Sequence, residues 1–408
     1  MKMPSQENYA IRPLNTGDVE QYNALLRYAF QVTEQELSDT GWKDEEIKQS
    51  KFPVLERADV LGCFNIIDKK EELVAQFAVY PLDMNIYGER YEVGFVTSVC
   101  TYPEYTGHGI MKKLMRKSLT RMRDSNKSFA LLYPYSIPLY RGLGWEIISN
   151  KMTYVIKDRQ IPTKLKEPGY VRRVQWDDEQ FKKLHTHFAA KTHGCLYRNN
   201  LAWEEYFRWD EDDTMVAIYY NEDDEPCGYM VYLISSDVMH IKELIYLNRE
   251  AQLGLWEYIH AHDSMIDEVR GNNYYSEPIA FELDDSDIKE TIRPYAMGRI
   301  IDVAQFILQY NCDPDGPGGC FSFEIADDLL PWNNGTFVID FEKGHCALTD
   351  KKPQYHLSMS IGTFTTLLLG YKSAEKLLQM GKIQATYDAV AKLDDILYHE
   401  IPYVSDYI

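Results

Sequence analysis

VTSVCTYPEYTGHGIMKKLMRKSLTRMRDSNKSFALLYPYSIPLYRGLGW, residues 96–145, is the stretch of sequence that decides the fold. Residues 94–102 are rich in Val, Phe and Thr, which predicts a strand that ends at Pro103. Apolar side chains then recur at helical spacing with basic residues between them, which predicts an amphipathic helix. The apolar positions are Met111, Leu114, Met115, Leu119 and Met122. A second apolar strand is predicted at 128–133, so the stretch indicates a strand–helix–strand unit.

The turn between the first strand and the helix, residues 104–109, contains Gly107 and Gly109. Glycine lacks a side chain, so backbone amides there can approach a ligand closely. The free N–H groups at the start of the helix favour an anion, and Lys112 and Lys113 add positive charge. A Gly-x-Gly turn by itself more often only reverses the chain. It also matches neither the dinucleotide fingerprint nor the P-loop.

The residues after the second strand extend the pattern with Leu-Tyr-Arg-x-x-Gly-Trp at 139–145. Taken with Pro-Glu-Tyr-x-Gly-x-Gly at 103–109 and the helix between them, this resembles the GNAT acyltransferase family. The resemblance implies that acetyl-coenzyme A is the co-substrate, with its pyrophosphate on the turn amides. It also implies that Tyr140 is the catalytic acid that protonates the departing thiolate.

The resemblance assigns cofactor contacts to three segments of the chain. These are Val99, Cys100 and Thr101 at the strand end, Gly107, His108, Gly109, Ile110, Met111 and Lys112 in the turn, and Tyr135 and Ser136 after the second strand. Two positions depart from the family pattern. Thr106 stands where an Arg or Gln is usual, and Met111 where a Gly or Ala is usual. Because backbone amides bind the phosphates, these departures are expected to weaken the site without abolishing it.

The full chain resembles one branch of that family, the enhanced intracellular survival (Eis) proteins. The implied fold is mixed α+β and α/β, with tandem GNAT folds and a C-terminal sterol-carrier-protein-like α+β domain. We predict a catalytic domain at 1–160, a GNAT-like domain at 161–295 and the sterol-carrier-like domain at 296–408. The second domain is expected to be degenerate, because residues 248–252, Asn-Arg-Glu-Ala-Gln, replace the glycine turn before a helix predicted at 253–260.

The Eis resemblance also implies a role for the last residue, Ile408, whose free α-carboxylate would enter the active site and act as the catalytic base. Eis chains often end in Phe, but this difference leaves the carboxylate unchanged. Chain ends are usually frayed, whereas the apolar ending Ile-Pro-Tyr-Val at 401–404 mildly favours docking. Asp406 is the fallback base if the terminus does not dock.

Composition narrows the class of partner. The 408 residues carry a net charge of −20, which argues against nucleic-acid binding and suits a cationic substrate or solubility alone. The seven cysteines include no C-x-x-C pair, and no histidine set has zinc spacing, so neither a disulfide framework nor a metal is expected. The N-terminus has no signal-peptide core and no stretch could span a membrane, which predicts a cytoplasmic protein.

The sequence therefore predicts an N-acetyltransferase acting on a primary amine such as an aminoglycoside, a polyamine or lysine. The resemblance further implies a homo-oligomer, commonly a hexamer. The alternative is a non-catalytic protein that binds or senses acyl-coenzyme A or lipid. The departures at Thr106 and Met111 favour that alternative, and the presence of Tyr140 argues against it.

Overall fold

A computed structural model describes residues 9–33, 43–162, 166–208, 213–275 and 277–406. In these ranges the strands are β1 (Tyr9–Pro13), β2 (Asp59–Ile67), β3 (Lys70–Ile86), β4 (Glu89–Thr101), β5 (Phe129–Leu132), β6 (Glu146–Ile147), β7 (Asn150–Lys157), β8 (Tyr170–Val174), β9 (Leu196–Tyr197), β10 (Met215–Tyr220), β11 (Pro226–Ser235), β12 (Val238–Tyr246), β13 (Glu268–Asn273), β14 (Lys289–Pro294), β15 (Met297–Ile300), β16 (Gly319–Ala326), β17 (Gly335–Glu342), β18 (His345–Leu348), β19 (Tyr355–Ser360) and β20 (Ile383–Gln384). The helices are α1 (Val19–Ala29), α2 (Asp44–Arg57), α3 (Ile110–Asp124), α4 (Ile137–Arg141), α5 (Glu179–Ala189), α6 (Asn200–Phe207), α7 (Arg249–His260), α8 (Val303–Ile307), α9 (Ile361–Leu368), α10 (Ala374–Gln379) and α11 (Tyr387–Asp394). None of these helices is long and apolar enough to cross a membrane.

The first sheet has the strand order β1-β2-β3-β4-β5-β15-β6, and β9 also pairs with β3. Side chains alternate between its two faces, because successive residues of a strand point to opposite sides. Leu73 joins the core that contains α1, whereas its neighbour Val74 packs with Leu114 of α3. Helices α1 and α3 therefore cover opposite faces of one sheet.

The second sheet has the order β14-β7-β13-β12-β11-β10-β8 and repeats the succession of strand, helix and parallel strand in β12, α7 and β13. The helix predicted at 253–260 begins earlier, at Arg249. The reason is a polar cap: the Asn248 side chain accepts a hydrogen bond from the Ala251 amide at 2.8 Å.

The two sheets exchange strands across the predicted boundaries at 160 and 295. Strand β7 lies within the predicted first domain, yet it pairs with β13 and β14 of the second sheet. Strand β15 lies within the predicted third domain, yet it pairs with β5 and β6 of the first sheet. Hydrophobic periodicity identifies a strand but not its partners, so the sequence pattern could not reveal this exchange.

The third sheet, in the order β18-β17-β16-β19-β20, belongs to the C-terminal region. Strand β17 contains the apolar segment at 337–341. Strand β19 runs directly into α9 without an intervening turn. Ser360 makes this possible by capping the helix, since its hydroxyl accepts from the Thr363 amide at 3.2 Å.

A buried ion pair joins this third region to the first sheet. Arg299 of β15 donates two hydrogen bonds to the Asp327 carboxylate, at 2.8 and 2.7 Å, and both side chains are almost fully buried. Arg299 also donates to the Leu143 carbonyl at 2.5 Å. One guanidinium therefore fixes β15, the loop at Asp327 and the segment that follows α4.

We expect Arg299→Met to destabilise the protein strongly, because it leaves the buried Asp327 carboxylate without its charged partner. Removing one partner of such a pair costs about 3–5 kcal/mol, which corresponds to a fall in melting temperature on the order of 10 °C. Scanning calorimetry measures this fall. Arg57→Met is the matched control, because Arg57 pairs with Glu204 at 3.1 Å on the exposed surface. Its loss should cost less than about 1 kcal/mol, and equal effects of the two variants would contradict the assignment.

Candidate active site

The candidate site lies where two parallel strands separate. Strand β4 pairs with β5 over four residues, from Val93 with Phe129 to Val96 with Leu132. Beyond Val96, β4 continues to Thr101, whereas β5 ends at Leu132. Within the described residues, the β5 side of 97–101 therefore faces no strand. The separation opens a slot between the carboxyl ends of the two strands.

A bulge in β4 lies at the mouth of this slot. The register against β3 shifts between Gln76 and Ala78, which face Cys100 and Thr97. Ser98 has a φ of +53°, a left-handed conformation that costs a residue with a side chain about 1–2 kcal/mol. The Tyr22 hydroxyl donates to the Ser98 hydroxyl at 3.0 Å and helps to hold it. The bulge turns the backbone around Val99 toward the slot.

The glycine turn closes one end of the slot. Gly107 and Gly109 have φ values of +88° and +72°, and a Cβ at either position would meet no atom within 4 Å. In the described part of the chain no side chain caps α3, and its first backbone bond runs from the Lys113 amide to the Gly109 carbonyl at 3.1 Å. The earlier amides of the helix and its positive dipole end are thus available to an anion.

The slot is a cavity of about 960 Å³ that contains most of the predicted site. Ten of the predicted residues line it: Val99, Cys100, Thr101, Gly107, Gly109, Ile110, Met111, Lys112, Tyr135 and Tyr140. The Thr101 hydroxyl is buried and has no hydrogen-bond partner among the described residues. The residues present therefore fit a phosphate at the turn and an extended chain along β4.

Tyr140 lies on α4, with 5% of its surface exposed. Burial, together with the neighbouring Cys100, raises the pKa of its hydroxyl to about 12. Across the neutral pH range the hydroxyl therefore keeps its proton and acts as a donor. Burial also raises the pKa of the Cys100 thiol well above its usual value. Cys100 is thus a packed thiol and not a thiolate nucleophile.

Two predicted residues, His108 and Ser136, do not line the cavity, and a third belongs to the part of the chain that the structure does not describe. His108 belongs to the turn but does not line the cavity, and its Nδ1 lies 3.3 Å from the Tyr9 hydroxyl. Ser136 precedes α4 outside the cavity lining. Ile408 lies outside the described residues.

The described part of the C-terminal tail, which ends at Asp406, packs against the rest of the protein. Residues 402–406 are buried, and the Tyr403 amide donates to the His193 carbonyl at 2.8 Å. The Asp406 carboxylate accepts from Arg198 Nε at 2.5 Å and is 1% exposed. Because Arg198 holds this carboxylate in the interior, Asp406 anchors the tail, and its role as a fallback base stays a prediction.

A second carboxylate completes the anchor of the tail. Arg198 also donates to Glu243 at 3.0 and 2.8 Å, and the Ser405 hydroxyl donates to Glu243 at 2.5 Å. Burial by itself would raise the pKa of Glu243, but the charge of Arg198, its neighbour His185 and the hydrogen bonds from Arg198 and Ser405 together lower it to about 2. The anchor thus holds one guanidinium between carboxylates from β12 and from the tail.

Comparison with known proteins agrees with this geometry. Residues 10–148 and 194–300 each match an acetyltransferase (GNAT) domain family, and residues 303–405 match a sterol carrier protein domain. The chain belongs to the GNAT family of N-acetyltransferases. Members of this family are enzymes, and the family implies an acyl-coenzyme A co-substrate. This argues against the alternative of a non-catalytic binding protein.

Solved structures share the whole architecture of this acetyltransferase. A probable N-acyltransferase from Enterococcus faecalis V583 is 25% identical, with a TM-score of 0.89 over 99% of this chain and 100% of that one. Eis1 from Mycobacterium abscessus is 19% identical, with a TM-score of 0.80 over 98% of this chain and 100% of that one. An uncharacterized N-acetyltransferase of Streptomyces griseus is 19% identical over 88% of this chain and 91% of its own length. The predicted tandem arrangement with a sterol-carrier-like domain is confirmed.

Two features that hold the acetyltransferase site in place, the bulge at Ser98 and the side chain of Arg299, were not predicted from the sequence. The bulge at Ser98 and its contact with Tyr22 leave no pattern in the sequence, because they depend on pairing with β3. Arg299, which reaches the Leu143 carbonyl just after Tyr140, did leave a signal. It is a lone charge in the apolar run Ala-Met-Gly-Arg-Ile-Ile at 296–301, which implies a buried partner.

We expect Gly107→Ala to raise the KM for acetyl-coenzyme A about tenfold with little change in kcat, because the added methyl group would occupy open space beside the turn predicted to bind the phosphate. Steady-state kinetics with varied acetyl-coenzyme A measure this. Gly88→Ala is the matched control, because Gly88 has a φ of +86° and equally open surroundings on the β3–β4 hairpin. Both variants should lose about 1 kcal/mol of stability. A KM that changes equally in both would refute the phosphate site.

Proposed function

We propose that this acetyltransferase moves an acetyl group from acetyl-coenzyme A to a primary amine by direct attack. Tyr140 is the proposed acid and the α-carboxylate of Ile408 the proposed base. The observation that carries the proposal is the single cavity that contains both the open glycine turn and Tyr140. Acetyl-coenzyme A supplies the thioester, and the protein binds it, orients it and moves the protons.

The groups proposed to bind acetyl-coenzyme A lie in the glycine turn and in the bulge of β4. The free amides at the start of α3 and the ammonium of Lys112 complement a pyrophosphate. The open edge of β4 offers backbone hydrogen-bonding groups to the amides of the extended pantetheine arm of acetyl-coenzyme A. A backbone amide next to Cys100, freed from the sheet by the bulge, polarises the thioester carbonyl.

The proposed role of Tyr140 as the catalytic acid depends on the protonation state of its hydroxyl. Its hydroxyl makes no hydrogen bond to another described residue, so it is available to the leaving sulfur. Because burial raises its pKa to about 12, the phenol is not lost to ionisation at neutral pH. It donates its proton to the thiolate as the C–S bond breaks, and regains one from solvent after release.

The contacts of Asp406, the last described residue, support the proposed role of the Ile408 carboxylate as the base. The Asp406 carbonyl accepts from the Tyr295 hydroxyl at 3.2 Å, and the Tyr295 ring lies 4.5 Å from the ring of Tyr133, which follows β5. The last described residue of the tail is therefore connected through Tyr295 to the segment that follows β5. A carboxylate with a pKa near 3.5 is a weak base for an ammonium near 10, so a water relay or a dry pocket must assist it.

The acceptor is proposed to be a cationic amine, such as a polyamine, an aminoglycoside or a lysine side chain. The net charge of −20 favours the approach of cations over long distances. The resemblance to Eis proteins indicates the same class of acceptor amine. A panel of these amines, assayed by thiol release from acetyl-coenzyme A, distinguishes the members of the class.

We expect Tyr140→Phe to lower kcat by about 10²- to 10⁴-fold while acetyl-coenzyme A still binds, because only the proton donor is lost. The loss should be similar from pH 6 to pH 10. The wild-type phenol is protonated throughout this window, and it would ionise only as the pH approaches about 12. Thiol release measured against pH tests this. Tyr28→Phe, on another wall of the same cavity, is the control and should retain activity.

We expect one glycine appended after Ile408 to lower kcat at least tenfold, because it moves the α-carboxylate by roughly 3.5 Å. Ile408→Val keeps the carboxylate in place and should retain most activity. Equilibrium binding of acetyl-coenzyme A should be the same in both proteins. Full activity in the extended chain would eliminate the terminal carboxylate as the base without affecting the role of Tyr140.

A further inference from the structure

The bulge of β4 depends on contacts from other parts of the chain. Two residues of β4, Ser98 and Val99, stand opposite the single residue Phe77 of β3 in the register of the two strands. Ser98 has a φ of +53°, in the left-handed region that a residue with a side chain adopts only at a cost. The bulge therefore persists only while the surrounding structure holds it.

A contact with the bulge comes from α1. The Tyr22 hydroxyl donates to the Ser98 hydroxyl at 3.0 Å, and Tyr22 is 1% exposed. This hydrogen bond acts on the side chain of the strained residue itself. In a regular strand successive side chains point to opposite faces of the sheet, so a return of Ser98 to extended backbone would redirect its hydroxyl. The bond with Tyr22 therefore opposes that return.

The position of Tyr22 is in turn fixed by β3. The Gln76 side chain is fully buried, and its Nε2 donates to the Tyr22 carbonyl at 3.3 Å. One residue earlier on α1, the Gln21 side chain accepts from the Leu73 amide at 2.7 Å. Apolar packing is not directional, whereas hydrogen bonds require particular distances and angles. These two bonds therefore fix where α1 lies along β3.

The contacts of α1 form a closed path around the bulge. Gln76 faces Cys100 in the register of β3 and β4, so the strand that holds Tyr22 also pairs with the end of the bulge. Val99, Cys100 and Thr101, which follow Ser98, line the slot. The conformation of Ser98 therefore decides the direction in which the next peptide groups of β4 point.

We propose that Tyr22 is a positioning residue for acetyl transfer, which holds Ser98 in the left-handed conformation and thereby aims a backbone amide next to Cys100 at the thioester carbonyl. This assignment rests on the acetyl transfer proposed above, in which that amide polarises the carbonyl. Tyr22 is not among the residues that line the slot, so it acts through the backbone of β4 and not on acetyl-coenzyme A directly.

Tyr22→Phe tests the assignment, because it keeps the packed ring and removes the donor to Ser98. Loss of a complete oxyanion donor typically lowers kcat by about 10²- to 10³-fold, and a bulge that is only loosened should lose less. We expect kcat to fall about ten- to hundredfold while the KM for acetyl-coenzyme A changes by less than about twofold. Ser98→Ala removes the other partner of the bond and should have the same effect.

A spectroscopic measurement separates this role from the rest of the proposed mechanism. Infrared spectra of bound acetyl-coenzyme A, labelled with carbon-13 at the thioester carbonyl, report how strongly that carbonyl is polarised. We expect its stretching band at a lower frequency in the wild-type complex than in free acetyl-coenzyme A. In Tyr22→Phe and in Ser98→Ala the band should return toward the free value. No amine is present, so the result does not depend on the proposed acceptor, acid or base.

Tyr91→Phe is the matched control. Tyr91 also lies on β4 and is fully buried, and its hydroxyl donates to the Phe306 carbonyl at 3.2 Å. This variant loses a buried hydrogen bond of the same kind far from the bulge. It should lower the melting temperature without changing kcat or the carbonyl band.

A rescue variant tests the reason for the effect. Glycine adopts left-handed backbone readily, so Ser98→Gly added to Tyr22→Phe should raise kcat and shift the carbonyl band back toward the wild-type frequency. The proposal is overturned if the band is the same in Tyr22→Phe and Ser98→Ala as in the wild type. It is also overturned if Tyr91→Phe lowers kcat as much, or if Ser98→Gly restores nothing.

Discussion

Two parallel strands that pair for only four residues determine the rest of this structure. Strands β4 and β5 run side by side to Val96 and Leu132, and a sheet that continued beyond this point would have filled the slot. The bulge at Ser98 and the early end of β5 leave the β4 backbone open. The uncapped start of α3 lies at the same end, and Tyr140 lines the same cavity. The open edge of β4 therefore keeps backbone hydrogen-bonding groups that a neighbouring strand would have satisfied.

The three domains depend on one another to keep this opening in place. Strand β15, which follows the second domain in the chain, pairs with β5 and so supports one side of the slot. Arg299 on that strand links the third domain to the backbone just after Tyr140. The tail passes between the GNAT domains and is fixed by Arg198. Because each of these contacts crosses a domain boundary, no single domain carries a complete site.

The two GNAT domains show how small changes at one helix end alter what a shared scaffold can bind. In the first, positive-φ glycines and an uncapped helix leave amides free for an anion. In the second, Asn248 caps the helix and Glu282 pairs with Arg249, so the same position is satisfied internally. The slot of the second domain is a smaller cavity, of about 290 Å³ against about 960 Å³ in the first domain.

The sequence by itself determined the features that are local or that carry a recurrent motif. The strand ending near Pro103, the glycine turn, the amphipathic helix and Tyr140 were all predicted from residues 94–145, because periodicity and turn chemistry act over a few residues. The family pattern extended this to the tandem fold and its third domain. The degenerate second turn was also visible, from Asn248 and the missing glycines.

The tertiary structure alone decided which elements meet. The exchange of β7 and β15, the bulge at Ser98 and the Arg299–Asp327 pair all depend on contacts between residues far apart in the chain. The burial that raises the pKa of Tyr140 likewise exists only in the packed molecule. A residue's sequence neighbours set its local conformation, whereas its partners in space set its charge state and its exposure. For that reason the sequence could name the components of the site, but only the fold could bring them into one cavity.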